Sequence, residues 1–319
     1  MDASAQGAAR PRPLIAVKAV VVINPIAGAG RTRTIGACVD LARRVLTEHG
    51  YDTEVLITEG PSSASDFSRT ATKKGVDLLV AWGGDGTVNG VACAAADANV
   101  AFAIVPGGSG NGLARDLGVP FDPAAALKVA ASGAVRRIDA GDLHGSLFFN
   151  VAGIGFDARI AERLASPGHR RGLLGYVIAT YGELREYVPG TYSICQARNL
   201  DGSATAPDLV DHRALFIALA NSRQYGNGAQ IAPRALLDDG MIEVVVVEPQ
   251  SGFSIMQQVP AFFRGTLREG AGILMRSAAS IEISAAQPIR FHVDGEPRSG
   301  SQLIRLQVRK HVLPVKVSH

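Results

Sequence analysis

Cysteines are few in this 319-residue chain, aromatic residues make up only 6% of it, and long apolar runs are missing. The three cysteines, Cys38, Cys93 and Cys195, are far apart and odd in number. This excludes a disulfide framework and a CxxC metal site, and it favours a reducing cytosol. No unbroken apolar stretch approaches the roughly 20 residues that span a bilayer. The first residues lack the order of a secretory signal, and we expect residues 1–16 to form a disordered tail.

A large net charge is also missing. The formal charge of +3 is too small to argue for a nucleic-acid partner, and we expect none. Basic residues do cluster locally, at Arg136-Arg137 and at His169-Arg170-Arg171. Such clusters are commonly solvated surface, but they also suit contact with anionic lipid at a membrane.

Strand and helix patterns alternate over about the first 135 residues. Apolar runs typical of buried parallel strands occur at 19–23, 54–57, 78–81 and 101–105. Helix patterns lie between or after them, at 33–49, 61–74, 86–97, 110–117 and 122–132. The alternation predicts an α/β domain with a parallel sheet, in which ligands bind beyond the carboxyl ends of the strands.

Short strand patterns separated by turn signals dominate after about residue 135. They occur at 137–143, 146–151, 191–197, 213–220, 241–247, 280–283, 288–293 and 303–317. Two helical stretches, 172–187 and 253–263, interrupt them. The pattern predicts an antiparallel β sandwich. We therefore divide the chain into an α/β domain at 17–135 and a β-sandwich domain at 136–304.

Three glycine-rich loops follow predicted parallel strands, at 24–30, 83–87 and 106–112. Glycine lets the backbone approach a ligand closely, and successive N–H groups beside a helix start form an anion cradle. Three such loops at one sheet edge suit a polyphosphate. Arg31 adds a positive charge, and Thr87 and Ser109 add hydroxyl donors. The standard P-loop and dinucleotide patterns are both missing, which disfavours a dehydrogenase.

Asp85 stands between glycines in the second loop, Gly83-Gly84-Asp85-Gly86-Thr87. A carboxylate beside phosphate is unfavourable unless a metal ion or a proton-transfer role offsets the repulsion. The loop therefore predicts Mg²⁺ binding or general-base chemistry at a phosphoryl-transfer centre.

This ordered set of motifs resembles the catalytic domain of the diacylglycerol kinase family, which includes bacterial lipid kinases, sphingosine kinases and ceramide kinases. It is more distantly similar to NAD kinases. The motifs are Asn24-Pro25, Gly83-Gly84-Asp85-Gly86-Thr87 and Pro106-Gly107-Gly108-Ser109-Gly110-Asn111. The resemblance runs from about residue 18 to the C-terminus. It implies an ATP-dependent kinase acting on a lipid hydroxyl, with Mg²⁺, and a final segment at about 305–319 that returns to the first domain.

The resemblance also implies roles for single residues. Glu296, in Asp294-Gly295-Glu296, is the implied general base on the lipid hydroxyl, with Asp85 as metal-linked acid or alternative base. Asp294 completes the predicted catalytic set. The predicted nucleotide-binding residues are Asn24, Pro25, Ile26, Ala27, Gly28, Arg31, Thr58, Gly83, Gly84, Asp85, Gly86, Thr87, Val88, Asn89 and Ser109.

Substrate and metal contacts follow from the same resemblance. Asn111 and Asp157 are predicted to contact the substrate, although an acid at a helix start, like Asp157, needs no function. The carboxylate of Asp239 and the carbonyls of Leu236 and Met241 resemble a structural Mg²⁺ loop. An Asp-Gly hairpin turn without metal explains that stretch equally well.

Two glycines depart from the family pattern. Gly112 follows Asn111, and Gly90 follows Asn89, where relatives often carry an acid. The first departure resembles the sphingosine and ceramide kinase branch, so the acceptor stays open between diacylglycerol or a related lipid and a lipid of that branch. An NAD kinase and a non-catalytic nucleotide-binding regulator are further alternatives. We expect a cytoplasmic protein in peripheral contact with the inner face of the membrane, and exposed sheet edges leave a homodimer open.

Overall fold

Parallel strands form the N-terminal part of the protein, as the alternating pattern predicted. The computed structural model describes residues 17–27, 34–165 and 186–318. Its first elements are β1 Val17–Ile23, α1 Ile35–Glu48, β2 Tyr51–Ile57, α2 Ser63–Lys73, β3 Leu78–Gly83, α3 Asp85–Ala98, β4 Ala101–Pro106, α4 Gly112–Asp116 and α5 Pro123–Ser132. The strands pair in the parallel order β2-β1-β3-β4. The α/β prediction is confirmed.

The sequence of each strand explains its place in this sheet. β3 is apolar and buried along its whole length, as expected of a central parallel strand covered on both faces. β2 lies at the sheet edge and alternates between half-buried and exposed residues over 51–54, after which its last three residues are all half-buried. Side chains that cap helix N-termini define where two of the helices begin: Thr34 accepts from the Ala37 N–H at α1, and Asp122 accepts from the Ala125 N–H at α5.

The C-terminal part is mostly antiparallel. Its elements are β5 Ala134–Leu143, β6 Ser146–Phe148, β7 Val151–Gly155, α6 Phe156–Ala165, β8 Gly190–Arg198, β9 Leu209–Ala214, β10 Phe216–Ala220, β11 Gln224–Gly226, β12 Ala229–Gln230, β13 Ile242–Val247, α7 Gly252–Arg264, β14 Ile273–Ala278, β15 Ser280–Ser284, β16 Arg290–Val293, β17 Glu296–Ser299 and β18 Leu303–Val317. A 6-stranded antiparallel sheet has the order β14-β13-β10-β7-β16-β17. The predicted antiparallel C-terminal architecture is confirmed.

Two sheets enclose the C-terminal core. Apolar side chains of the 6-stranded sheet, among them Ile154 and Phe291, form one buried cluster with side chains of a 10-stranded sheet that includes β8, β15 and β18. Those side chains include Ile194, Ile283 and Ile304. A second cluster lies on the opposite face of the 6-stranded sheet, where α6 contributes Phe156 and Ile160. A separate core joins the parallel strands to α1, α3 and α5.

The final strand, β18, joins the parallel and antiparallel parts into one sheet. Its last residues lie beside β4, where Val315 pairs in parallel with Phe102. Its first residues pair antiparallel with β15, and β5 runs antiparallel to it over most of its length. The β5 register shifts between Arg309 and Leu313, and His311 there has a φ of 51°.

Some elements differ from the sequence prediction for identifiable reasons. The predicted strand 146–151 is divided into β6 and β7, because the N–H groups of Phe149, Asn150 and Val151 donate to the carboxylate of Asp294. The predicted strand 213–220 is divided between β9 and β10. α6 and β14 were not predicted. The N-terminal tail and all but the end of the predicted helix 172–187 lie outside the described residues. Among the helices that the structure describes, none combines the length and apolarity needed to cross a membrane.

Candidate active site

The second and third glycine-rich loops lie in backbone contact at the carboxyl ends of β3 and β4. The N–H groups of Gly107 and Gly108 both donate to the Gly83 carbonyl, at 2.8 and 3.2 Å. A Cβ added to Gly108 would lie 2.6 Å from the Gly84 Cα, so no larger residue fits at position 108 without moving backbone. Glycine is therefore required here for loop-to-loop packing, whatever ligand the edge binds.

Asp85 begins α3 and is held by the third loop. The Gly112 N–H donates to its Oδ1 at 2.9 Å, and the Asn111 N–H donates to its Oδ2 at 3.1 Å. Burial raises the pKa of Asp85, and the two N–H bonds oppose that rise. Asp85 is half-buried as a residue, and its carboxylate oxygens keep further acceptor capacity for a metal ion or a proton.

The first loop reaches the same edge through Asn24. Its side-chain nitrogen donates to the Thr87 hydroxyl oxygen at 3.0 Å, and its Oδ1 accepts from the Ile26 N–H at 3.0 Å. Thr58 follows β2 and is buried, with its N–H donating to the Ile23 carbonyl at 2.9 Å. The structure therefore brings the described predicted nucleotide-binding residues to one edge.

The predicted nucleotide-binding residues differ in their exposure to solvent. Pro25 and Ile26 are exposed, Ile26 to 68%, and Ser109 is exposed in the third loop. Val88 and Asn89 are buried within α3. Gly28 and Arg31 lie outside the described residues. Their predicted contacts with nucleotide stay predictions.

Glu296 reaches the first turn of α3 from a distant part of the chain. It opens β17, and its carboxylate lies against the Cα of Gly86, so that a Cβ there would overlap its Oε1. Asp85 and Glu296 thus flank the first turn of α3 although they belong to different parts of the fold. Two carboxylates at one helix N-terminus have the chemistry to bind a metal ion or to accept a proton, and their predicted catalytic roles stay predictions.

Asp294 has a different environment from Glu296 on the same turn. Its carboxylate is buried and accepts the N–H groups of Phe149, Asn150 and Val151 at 2.9 to 3.0 Å. The Asn89 side-chain nitrogen adds a fourth bond at 2.8 Å. With both oxygens engaged, Asp294 joins the hairpin to α3 and to the start of β7. Its predicted catalytic role stays a prediction, and these contacts describe a positioning group.

The two predicted substrate residues are both buried. The Asn111 amide accepts from the Gly108 N–H at 2.9 Å and donates to the Gly108 carbonyl at 2.7 Å, which closes the third loop on itself. The Asp157 Oδ2 lies 2.7 Å from the His292 Nε2. Their predicted substrate contacts stay predictions.

The predicted metal loop carries an excess of negative charge. The Asp239 Oδ1 accepts from the Met241 N–H at 2.9 Å, and the Leu237 carbonyl accepts from the Asp139 N–H at 2.7 Å. Burial and the nearby carboxylates of Asp139 and Asp238 raise the pKa of Asp239. Hard oxygen donors and like charges suit Mg²⁺, so the residues fit that ion. Within the described ranges, however, no three His, Cys, Asp or Glu side chains group closely enough to hold a metal by themselves. The site at Leu236, Asp239 and Met241 stays a prediction.

Arg136 and Arg137, predicted as one half of a basic surface, have partners within the protein. Arg136 forms an ion pair with Asp238 at 2.9 Å. Arg137 donates to the Asn99 Oδ1 at 2.8 Å and to the His311 carbonyl at 3.1 Å. The other cluster, His169-Arg170-Arg171, lies outside the described residues.

Three residues near the site were not predicted. The Arg115 side chain donates to the Gly110 carbonyl at 3.1 Å, and its positive charge is one of the effects that oppose the burial-driven rise in the pKa of Asp85. Asn150 lies where a side chain at position 112 would project, and it accepts from the Ser222 hydroxyl. His292 precedes the Asp294 turn. A glycine inside a strand, such as Gly153 in β7, is the sequence signal that could have indicated them, because it leaves space for side chains of other elements to pack against the strand.

Two protein-domain families together match most of the chain. The diacylglycerol kinase catalytic domain matches residues 18–143. The YegS C-terminal NAD kinase beta sandwich-like domain matches residues 150–317. The chain belongs to the diacylglycerol kinase catalytic-domain family. Membership in this family of lipid kinases makes the protein an enzyme of the kinase class and confirms the resemblance seen in its motifs.

Relatives and solved structures agree with this membership. A protein named "Probable lipid kinase YegS-like" from Chromohalobacter salexigens is 31% identical over 78% of this chain and 79% of its own length. A protein of the same name from Klebsiella pneumoniae is 31% identical over 81% of this chain and 84% of its own length. The crystal structure of a diacylglycerol kinase from Bacillus anthracis covers 95% of this chain and 97% of its own, with a TM-score of 0.70 and 20% identity, which supports the fold alone.

Proposed function

We propose that this member of the diacylglycerol kinase family transfers the γ-phosphoryl group of Mg·ATP to the hydroxyl of a lipid, with diacylglycerol or a related lipid as acceptor. The observation that carries the proposal is that Asp85, the first residue of α3, and Glu296, which lies against Gly86, are placed at the same helix N-terminus. Phosphoryl transfer needs charge neutralisation and in-line positioning more than covalent chemistry. Two acids beside glycine loops are suited to those tasks.

The three loops support the nucleotide part of the proposal. Close packing of Gly83 and Gly84 on Gly107 and Gly108 leaves backbone rather than side chains at the edge, and the α3 N-terminus adds a positive dipole end. When bound, Mg²⁺ would neutralise the charge of the phosphates, and Asp85 is the residue that would hold it. Ile26, exposed beside the loop, offers an apolar surface for the rest of the nucleotide.

Glu296 supports the acceptor part. Its carboxylate is partly exposed and has no hydrogen-bond partner among the described residues, unlike that of Asp294. We propose that Glu296 accepts the proton of the lipid hydroxyl as the phosphoryl group is transferred. Gly112 favours a second class of acceptor, a sphingosine- or ceramide-type lipid, because this glycine matches that branch of the family.

We also propose that the protein is cytoplasmic and contacts the inner face of the membrane. α7 supports the contact, since Val259 and Phe263 are exposed to 43% and 48% and Arg264 is exposed beside them. Apolar and basic side chains on one helix suit the interface of an anionic bilayer. A homodimer stays a prediction from exposed sheet edges.

The test is a phosphorylation assay across acceptor classes. Purified protein receives Mg²⁺, labelled ATP and separate micelles of diacylglycerol, monoacylglycerol, sphingosine or ceramide, with NAD as a soluble acceptor. The variants are Asp85→Asn and Glu296→Gln, and the matched controls are Asp40→Asn and Glu48→Gln on the exposed part of α1. ATP binding is measured on each protein by calorimetry.

We expect label on one lipid class, lost at least about 100-fold in both site variants and kept in both controls. ATP binding should stay within a few-fold in Glu296→Gln. Label on NAD would overturn the proposal in favour of an NAD kinase. ATP binding without transfer to any acceptor would overturn it in favour of a nucleotide-binding regulator.

A further inference from the structure

A buried acid–histidine pair lies directly behind the turn that carries Glu296. Asp157 near the start of α6 and His292 in β16 lie 2.7 Å apart, Oδ2 to Nε2, although they are 135 residues apart in the chain. Their side chains are only 5% and 8% exposed. The roles proposed for the glycine-rich loops and for Asp85 and Glu296 do not explain why this pair is present.

The other nitrogen of the His292 ring contacts the turn itself. The Gly295 N–H donates to the His292 Nδ1 at 3.2 Å. A neutral imidazole has one donor and one acceptor nitrogen, so Nδ1 accepts and Nε2 carries the proton that is donated to Asp157. The two contacts together select one tautomer, in which the ring links α6 to the backbone just before Glu296.

Gly153 makes room for this link. It lies opposite His292 in the neighbouring strand β7. A Cβ on Gly153 would overlap the His292 ring and the Asp157 carboxylate, and it would lie 2.6 Å from the carboxylate carbon. The missing side chain in an otherwise apolar strand is therefore explained by the pair that covers it.

The turn between β16 and β17 is held from two sides. Asp294 and Gly295 have φ values of 48° and 85°, the left-handed pair of a tight hairpin. Donors from α3 and from the start of β7 bind the Asp294 carboxylate, and the His292 ring accepts the Gly295 N–H. Glu296 is the next residue, so both contacts determine where its backbone lies.

We propose that Asp157 and His292 are positioning residues for Glu296: the Asp157 carboxylate orients the imidazole, and the imidazole holds the Gly295 N–H so that Glu296 faces α3. The inference rests on the proposed function, because it takes Glu296 to act on the acceptor hydroxyl. It assigns the buried Asp157 a role away from the lipid.

The charges that act on His292 are few. From α6 comes Asp157, and from its own hairpin comes Asp294. Its neighbours in register, Gly153 on β7 and Pro297 on β17, carry no charge. Burial lowers the pKa of His292, but the two carboxylates more than offset this, and the pKa lies above the ordinary value. Protonation of Nδ1 would remove the acceptor for the Gly295 N–H.

Two substitutions at His292 separate the two contacts. In His292→Asn, the side-chain oxygen lies near the place of Nδ1 and can still accept from Gly295. In His292→Gln, the longer amide reaches Asp157 but presents no acceptor at the Nδ1 place. We expect kcat to fall at least about 10-fold in His292→Gln with KM for ATP within about 2-fold, and to stay within about 3-fold in His292→Asn. Equal losses of kcat in the two variants would overturn the proposal.

A second readout does not depend on activity. The histidines of the wild type are labelled with ¹⁵N, and His292 is assigned by the signal that disappears in His292→Asn. At a pH above the titration midpoint, where the ring is neutral, we expect an unprotonated Nδ1 and a protonated Nε2, and we expect the midpoint itself to move to lower pH in Asp157→Asn. The opposite tautomer, or an unchanged midpoint, would overturn the positioning role. Absence of transfer by the wild type, with the expected spectra, would instead overturn the proposed function together with any role through Glu296.

Discussion

The Asn89 side-chain nitrogen donates to the Asp294 Oδ2 at 2.8 Å, although 205 residues separate the two in the chain. The bond joins α3, which begins at the glycine-rich loop, to the hairpin that carries Glu296. Asn89 also donates to the Leu147 carbonyl at 3.0 Å, beside the place where β6 ends. One amide therefore connects both halves of the proposed site.

Replacing Asn89 by Ala should destabilise the protein by about 2 kcal/mol, because a buried carboxylate then loses a donor. Denaturant unfolding followed by fluorescence or circular dichroism measures the loss. Asn199→Ala is the matched control, since that amide bonds only to Ser203 among the contacts of the described residues and lies on an exposed turn. A loss in Asn89→Ala no larger than in Asn199→Ala would contradict the connecting role.

Gly112 and Asn150 should be energetically coupled. A Cβ at position 112 would overlap the Asn150 amide, so Gly112→Ala should cost about 1–3 kcal/mol of unfolding free energy. In Gly112→Ala/Asn150→Ala the space is free again, and the double variant should be more stable than the sum of the single losses predicts by about 1 kcal/mol.

The control for this cycle is Gly36→Ala in α1, where an added Cβ meets no atom within 4 Å. There the unfolding free energy should stay level or rise by up to about 1 kcal/mol. Strict additivity of the Gly112 and Asn150 losses would rule out the contact. The result bears on the proposed function, because the Gly112 N–H donates to the Asp85 carboxylate.

Arg223 and Asp116 should link the two parts of the fold more strongly than a surface pair does. They lie 2.6 Å apart, and the Asp116 side chain is only 3% exposed. Arg223→Ala leaves that carboxylate without its charged partner and should cost about 1–3 kcal/mol. Arg290→Ala, which removes a more exposed pair with Glu162, should cost less than about 0.5 kcal/mol. Equal effects in thermal or denaturant unfolding would contradict this ranking.

Stability should depend on pH through His292. Its pKa is raised in the folded protein, so the folded state binds the proton more tightly than the unfolded state. This contribution is fully present below the unfolded value of about 6.5 and is lost as pH rises through the raised folded-state pKa. Asp157→Asn should therefore lower the melting temperature most at acidic pH, and the difference from wild type should narrow as the pH rises.

Melting curves between pH 5 and 9 measure the effect in wild type and Asp157→Asn. Asp40→Asn serves as control, because an exposed substitution should change the unfolding free energy by less than about 0.5 kcal/mol at each pH. A difference between wild type and Asp157→Asn that grows toward alkaline pH would show that the carboxylate does not stabilise a charged His292.

Local sequence was enough to predict the parallel half of the fold and the glycine-rich loops at the carboxyl ends of its strands. The run 78–81 and the loop Gly83–Thr87 lie next to each other in the chain, and β3 followed by α3 forms as their composition indicates. Glycine-rich loops can be predicted from sequence because the backbone conformations that require glycine are set by neighbouring residues. The division of the predicted strand 146–151 was not readable, since its cause is the carboxylate of Asp294, more than 140 residues away.

The sequence by itself determined the order of strands and helices in the N-terminal half and, through the family resemblance, the family and the acids Asp85 and Glu296 as candidates. Each of these inferences rests on short stretches of neighbouring residues. Only the tertiary structure decided that Asp294 is enclosed by donors while Glu296, two residues on, faces α3. Only it brought Asp157 to His292 and Asn150 to Gly112. Burial and contacts between residues far apart in the chain arise from packing, and no local pattern encodes them.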